Sequence, residues 1–158
     1  PKVMAPIGEH PFLYYQIENW TSQGINSFIF LLHYEAEQII LELNKLSQKV
    51  EYSGIIFRTV IEAKPLGTGG SILNALTVFN IRGGFLVSNA DTWLQGGIKS
   101  LSRKHTPFIA GVQVKDADRY GSLTFEGSKI KSFKEKGKFE KSMIVNSGLY
   151  HLVPEVFL

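Results

Sequence analysis

Short apolar runs alternate with amphipathic stretches along this chain, and at one crossing between them stands Pro65-Leu66-Gly67-Thr68-Gly69-Gly70-Ser71-Ile72. The run follows a segment that reads as a strand, Ile55 to Ile61, and opens one that reads as a helix, Ser71 to Phe79. Three glycines in four positions let the backbone turn tightly and let a ligand approach the main chain without meeting a Cβ. The first free N–H groups of the following helix then face whatever sits there. The run predicts a site for a nucleotide or another anion.

The same alternation organises the first two thirds of the chain. Apolar residues at Phe12, Leu13, Ile17 and Trp20 have helical spacing within 11–23, and Gly24 stops that helix. Ser27 to Leu32 reads as a buried strand, Glu35 to Leu46 as a helix through Ile39, Ile40, Leu43 and Leu46, and Phe85 to Ser88 as a further buried strand. This order predicts an α/β fold: a Rossmann-like, mostly parallel sheet flanked by helices on both faces. After Asp91 the pattern changes. A short helix over 98–105 and a strand over 108–114 precede two strands, 121–125 and 129–133, that flank a hairpin turn at Glu126-Gly127-Ser128. A last strand covers 143–153. The C-terminal half is therefore β-rich, and with no linker or repeat, 1–158 reads as a single domain.

Composition narrows the function classes. There is no cysteine, which excludes disulfides and thiolate metal sites and fits a reducing cytoplasm. The four histidines are scattered without metal-ligand spacing. No apolar run approaches the about 18–20 residues that span a bilayer, so no membrane partner is expected. A net charge of +3 is too small to argue for nucleic acid. Lysines at 129, 131, 134, 136, 138 and 141 crowd one stretch. Either they guard the edge of a solvated hairpin, or one or two of them meet a phosphate.

In open α/β sheets ligands bind beyond the carboxyl ends of the strands. Two groups fall there: Gly67–Gly70, and Ser88-Asn89-Ala90-Asp91 after the next strand. Asp91 is placed to anchor a hard cation such as Mg²⁺, which needs only one or two carboxylates besides phosphate oxygens; equally, it could be a turn or helix-cap residue.

Further motifs occur in a fixed order. Pro1-Lys2-Val3-Met4-Ala5-Pro6-Ile7 with Pro11-Phe12-Leu13 is followed by Pro65–Ile72, Asn89-Ala90-Asp91, Arg119-Tyr120-Gly121, Phe133-Lys134-Glu135-Lys136 and Val145-Asn146-Ser147-Gly148-Leu149-Tyr150. This ordered set resembles the sugar-1-phosphate nucleotidyltransferases and covers nearly the whole chain. Among their branches, Leu66–Gly70 with Glu135-Lys136-Gly137 is most similar to the guanylyltransferases acting on D-glycero-D-manno-heptose 1-phosphate, with the uridylyltransferases of muramate recycling close behind.

The resemblance implies the nucleotide-diphospho-sugar transferase fold, a nucleoside triphosphate (GTP favoured) and a sugar 1-phosphate as partners, and Mg²⁺ as cofactor. It implies that Lys2 contacts the nucleotide phosphates and that Leu66, Gly67, Thr68, Gly69 and Asn89 bind the nucleotide. Asp91 would hold the metal, Gly121, Glu135 and Asn146 the sugar, and Lys136 the sugar phosphate; Lys2, Asp91 and Lys136 would be the catalytic residues. A homo-oligomer is left open. The family's Gly-rich loop, its first strand and a second acidic metal ligand would fall outside 1–158, so the expectation is a chain incomplete at both ends and inactive as it stands. Ala90 departs from the family's usual glycine and adds a Cβ near the ligand. A catalytically inactive sugar-nucleotide-binding sensor or regulatory subunit is the second expectation. A glycosyltransferase ranks below it, because the residue two before Asp91 is Asn89 where an Asp-x-Asp pair would be needed.

Overall fold

The computed structural model describes residues 1–101, 107–115, 120–134 and 143–157. A 3₁₀ turn at Lys2–Met4 leads into a small antiparallel hairpin of β1 (Pro6–Ile7) and β2 (His10–Pro11), which the sequence pattern did not announce. Helix α1 (Phe12–Ser22) follows at once, entered through Pro11 in extended conformation, as a residue that cannot donate within the first turn should be.

Strand β3 (Ser27–Leu32), helix α2 (Ala36–Ser47) and strand β4 (Ile56–Ile61) form a parallel crossover unit, with Ser27 opposite Ile56 and Leu32 opposite Ile61. Parallel pairing places side chains of like parity on one face. Phe28, Phe30 and Phe57 share such a face, with Phe28 and Phe57 ring centroids 5.8 Å apart. Ile39, Leu43 and Leu46 on α2 are buried in one cluster with Leu13 and Ile17 of α1, Leu32 of β3 and Tyr52. Spacings of four and three put them on one helix stripe, and full burial of each such side chain is worth roughly 1.5–3 kcal/mol. Burial, with the neighbouring Tyr14 as a lesser cause, pushes the Tyr52 hydroxyl pKa well above its ordinary value.

Helix α3 (Gly67–Val78) packs on β3. It begins four residues before the sequence pattern placed it: the glycine run is the first turn of the helix, not a loop ahead of it. Only Gly67 of the three has positive φ, at 70°; that residue makes the turn, and Gly69 and Gly70 continue as helix.

Strand β5 (Phe85–Ser88) pairs antiparallel with the long C-terminal strand, and a short helix α4 (Ile98–Leu101) follows. The remaining strands are β6 (Phe108–Val114), β7 (Ser122–Glu126), β8 (Lys129–Lys134) and β9 (Met143–Leu152). β9 is the spine of the second sheet. β6 runs along it from Val114 opposite Met143 to Phe108 opposite His151, while β5 and β7 meet it at residues 149–152 and 145. The β7–β8 hairpin closes through Gly127 at φ 62°. An α/β half thus precedes a β-rich half, as the alternation predicted; the parallel pairing among the described residues is β3 with β4, and the other pairs are antiparallel.

Candidate active site

The site forms where β5 ends. After Ser88 the chain leaves the sheet in a turn: the Thr92 N–H donates to Asn89 O at 3.3 Å, and Ala90 and Asp91 occupy its exposed tip. Lys2, far away in sequence, reaches the same tip, with its Nζ 3.8 Å from Asp91 Oδ2. Both side chains are open to solvent, Lys2 at 86% and Asp91 at 51%. An exposed pair at that separation is worth only about 0–1 kcal/mol, so either partner can turn to a phosphate or a cation at little cost.

From Asn89 a chain of short bonds runs into the second sheet. The Asn89 N–H donates to Gly148 O at 2.9 Å, the Gly148 N–H to Asn146 Oδ1 at 2.9 Å, and Asn146 Nδ2 to the Tyr150 hydroxyl at 2.6 Å. The Asn146 N–H donates to Gly121 O at 3.1 Å. Gly148 has φ 74°, and a Cβ there would lie 2.6 Å from Asn89 Nδ2. Glycine at this position allows β9 to bend and Asn89 to pack against it. Lys2, Asn89, Asp91, Gly121 and Asn146 are therefore brought together by these contacts. Glu135 and Lys136 lie outside the described residues; Lys134, just before them, pairs with Ser122, next to Gly121.

Leu66, Gly67, Thr68 and Gly69 form a second group at the exposed start of α3. Among the described residues no side chain bonds to the N–H groups of Gly67, Thr68 and Gly69, which leaves them for a ligand. The approach is fixed from behind. Glu62, 8% exposed at the end of β4, accepts a hydrogen bond from the Leu66 N–H at 3.2 Å, and its own carbonyl is 2.8 Å from His33 Nδ1. An added Cβ at Gly67 or Gly69 would meet nothing within 4 Å, so the space above both is open.

Among the described residues no three His, Cys, Asp or Glu side chains cluster as a self-sufficient metal site. A lone half-exposed carboxylate suits a hard divalent cation that takes most of its ligands from phosphate oxygens and water, and Asp91 fits that description. The pattern of apolar residues concealed three participants. Tyr150 anchors Asn146 and Gly148 receives Asn89, both within a motif that assigns a role to Asn146 alone; and Gln16, on α1, is 1% exposed and donates to the backbone beside Asp91. A polar residue between the core positions Leu13 and Ile17 was the one signal available for Gln16.

An uncapped helix start after one strand and a lysine–aspartate pair after another define a nucleotide-handling α/β domain. The nucleotidyl transferase family model matches residues 1–158, and the chain belongs to that family. It is 35% identical to the D-glycero-alpha-D-manno-heptose 1-phosphate guanylyltransferase of Campylobacter jejuni, over 99% of this chain and 68% of the relative. It is 33% identical to the enzyme of the same description from Aneurinibacillus thermoaerophilus, over 95% of this chain and 64% of that relative. The crystal structure of HddC from Yersinia pseudotuberculosis complexed with GMP-PN superposes with a TM-score of 0.85 at 35% identity, covering 99% of this chain and 69% of that one. The fold is that of the nucleotide-diphospho-sugar transferases, and the chain is a nucleotidyltransferase of the class that makes activated sugars. Among the described residues no helix is long and apolar enough to cross a membrane.

Proposed function

We propose that residues 1–158 act as one domain of a guanylyltransferase that joins GTP to a sugar 1-phosphate, a D-manno-heptose 1-phosphate being favoured, to give a GDP-sugar and pyrophosphate. The observation that carries this is the meeting of Lys2 with Asp91 at the end of β5, one turn from the bonded series Asn89–Gly148–Asn146–Gly121. A cation and a metal-competent carboxylate thus adjoin polar groups suited to hydroxyls. The names of the relatives support the choice of guanine and of a heptose.

In the reaction a phosphate oxygen of the sugar 1-phosphate attacks the α-phosphorus of GTP. A new P–O bond forms, the bond from the α-phosphorus to the oxygen bridging to the β-phosphorus breaks, and pyrophosphate leaves with that electron pair. The attacking oxygen is already anionic, so no general base is required. Two anions must approach, which makes charge compensation and alignment the protein's main tasks. Leu66 to Gly69 offer backbone groups to base and ribose. Lys2 swings from Asp91 to the triphosphate, Gly121, Asn146 and Glu135 take sugar hydroxyls, and Lys136 takes the sugar phosphate. Asp91 would hold Mg²⁺, which when bound offsets phosphate charge in the transition state.

The test is pyrophosphate release from the full-length protein with each nucleoside triphosphate, a panel of sugar 1-phosphates including heptose and mannose forms, and Mg²⁺. Release is expected with GTP and a heptose 1-phosphate. Silence with every pair refutes the transferase, and release with UTP but not GTP refutes the base. Asp91→Asn should abolish the metal-dependent turnover.

A further inference from the structure

Helix α1 and its C-cap residue carry three amides, Gln16, Asn19 and Gln23, at spacings of three and four that set them on one stripe. All three are turned onto the segment from Asn89 to the start of α4 at Ile98. Gln16 Nε2 donates to Thr92 O at 3.0 Å and, more loosely, to Asn89 O at 3.5 Å. Asn19 Nδ2 donates to Leu94 O at 2.7 Å, and Gln23 Oε1 accepts from the Ile98 N–H at 3.1 Å. Gln23 Nε2 in turn donates to Asn19 Oδ1 at 3.1 Å, which joins two of the amides to each other.

We infer that this amide ladder, and Gln16 above all, positions the carboxylate of Asp91 for its cation. Asp91 has few means of its own to hold an aim: its side chain is half exposed, and the ion pair to Lys2 is long. Its direction is set by the main chain of the 89–92 turn. Gln16 grips the carbonyls on both sides of Asp91 with a single NH₂ group, so the two ends of the turn cannot move independently. Gln16 itself is buried, at 1% exposed, and its two bonds to the turn are partly buried. Among the described residues no group donates to its Oε1, and the amide is oriented to serve the two carbonyls. Keeping a polar group in the core with one atom unpaired costs stability, which an apolar residue of the same length would not. The turn is held from its other side by the Asn89 N–H on Gly148 O, so α1 and β9 clamp it between them.

This role presupposes the proposed cation site at Asp91, and the experiment separates the two. In the full-length protein, Mn²⁺ binding in the presence of a nonhydrolysable GTP analogue is followed by electron paramagnetic resonance. Metal-free affinity for the analogue and amide exchange at Thr92 are measured beside it. Gln16→Met keeps length and removes the donors; it should weaken Mn²⁺ about tenfold, as loss of groups that orient a metal ligand does, while leaving metal-free nucleotide affinity unchanged. Thr92 should exchange faster. Asn19→Leu, which frees Leu94 O outside the turn, should show a smaller loss in the same direction and stands in if Gln16→Met does not fold. Unchanged Mn²⁺ affinity in the folded Gln16 variant, or in the Asn19 variant standing in for it, overturns the positioning role when Asp91→Asn still loses the metal. If Asp91→Asn also binds Mn²⁺ normally, the cation site itself is wrong and the positioning role falls with it.

Discussion

Replacing Gly148 with alanine tests the contact that joins the two parts of the site. Two costs can be worked from the structure. The backbone at φ 74° is one that an L-residue adopts at a penalty of about 1–2 kcal/mol. The new Cβ would also stand 2.6 Å from Asn89 Nδ2, 3.0 Å from its Cγ and 3.3 Å from its Cβ. Rotating the Asn89 side chain relieves the first two contacts and not the third, so the turn must shift and strain the 2.9 Å bond from the Asn89 N–H to Gly148 O. Overpacking of this kind typically costs about 1–3 kcal/mol, which brings the total to about 2–5 kcal/mol.

Urea unfolding followed by tryptophan fluorescence reads this directly, since Trp93 lies on the segment that would move. With a slope of about 2 kcal/mol per molar, the midpoint should fall by about 1–2.5 M. A double-mutant cycle isolates the steric part. The Asn89 side chain is exposed, so Asn89→Ala alone should stay within about 0.5 kcal/mol of the parent. It removes the two nearest atoms and keeps the Cβ, so the double variant should regain about 1 kcal/mol of what Gly148→Ala loses, the rest being backbone strain and the retained Cβ contact. Strict additivity of the two substitutions would refute the contact as described.

Three further outcomes are expected. Gly84→Ala should destabilise by about 1–3 kcal/mol in thermal or urea unfolding, because its Cβ would lie 2.7 Å from Nε2 of a His151 ring that is buried and stacked on Phe108. The raised pKa of Tyr52 means that the folded protein holds that proton more tightly than the unfolded chain; its contribution is complete below the ordinary tyrosine value of about 10 and is lost as pH rises above it. Urea midpoints between pH 9 and 11 should therefore fall less steeply for Tyr52→Phe than for the parent. Tyr150→Phe removes the hydroxyl that accepts from Asn146 Nδ2 at 2.6 Å, and steady-state kinetics should show a higher KM for the sugar phosphate with the KM for GTP little changed.

What the sequence made legible was whatever a one-dimensional pattern encodes. The stripe Ile39, Leu43 and Leu46 has one efficient way to be buried, and the structure adopts it; the apolar run 27–32 forms its strand but buries only Phe28 and Leu32, leaving Ser27 and Leu31 exposed. The start of α3 was misplaced for an equally physical reason. Each glycine is about 1 kcal/mol worse than alanine in a helix, so propensity argues against helix across 67–70, whereas packing of the following turns on β3 extends it there. Bringing Lys2 to Asp91 and Asn146 to Gly121 depends on strand pairing and main-chain hydrogen bonds that leave no periodic trace. Ordered motifs could name these residues but could not say what aims them. That falls to Gln16, which looks ordinary in the sequence, and to Gly148 and Tyr150, which stand in a motif that does not say what they hold; each acts on the backbone or on a single neighbouring amide. Residues that touch a ligand are chosen for their chemistry, which a motif records. Residues that hold those groups in place are chosen for length and direction, and these become visible only once the fold supplies the distances.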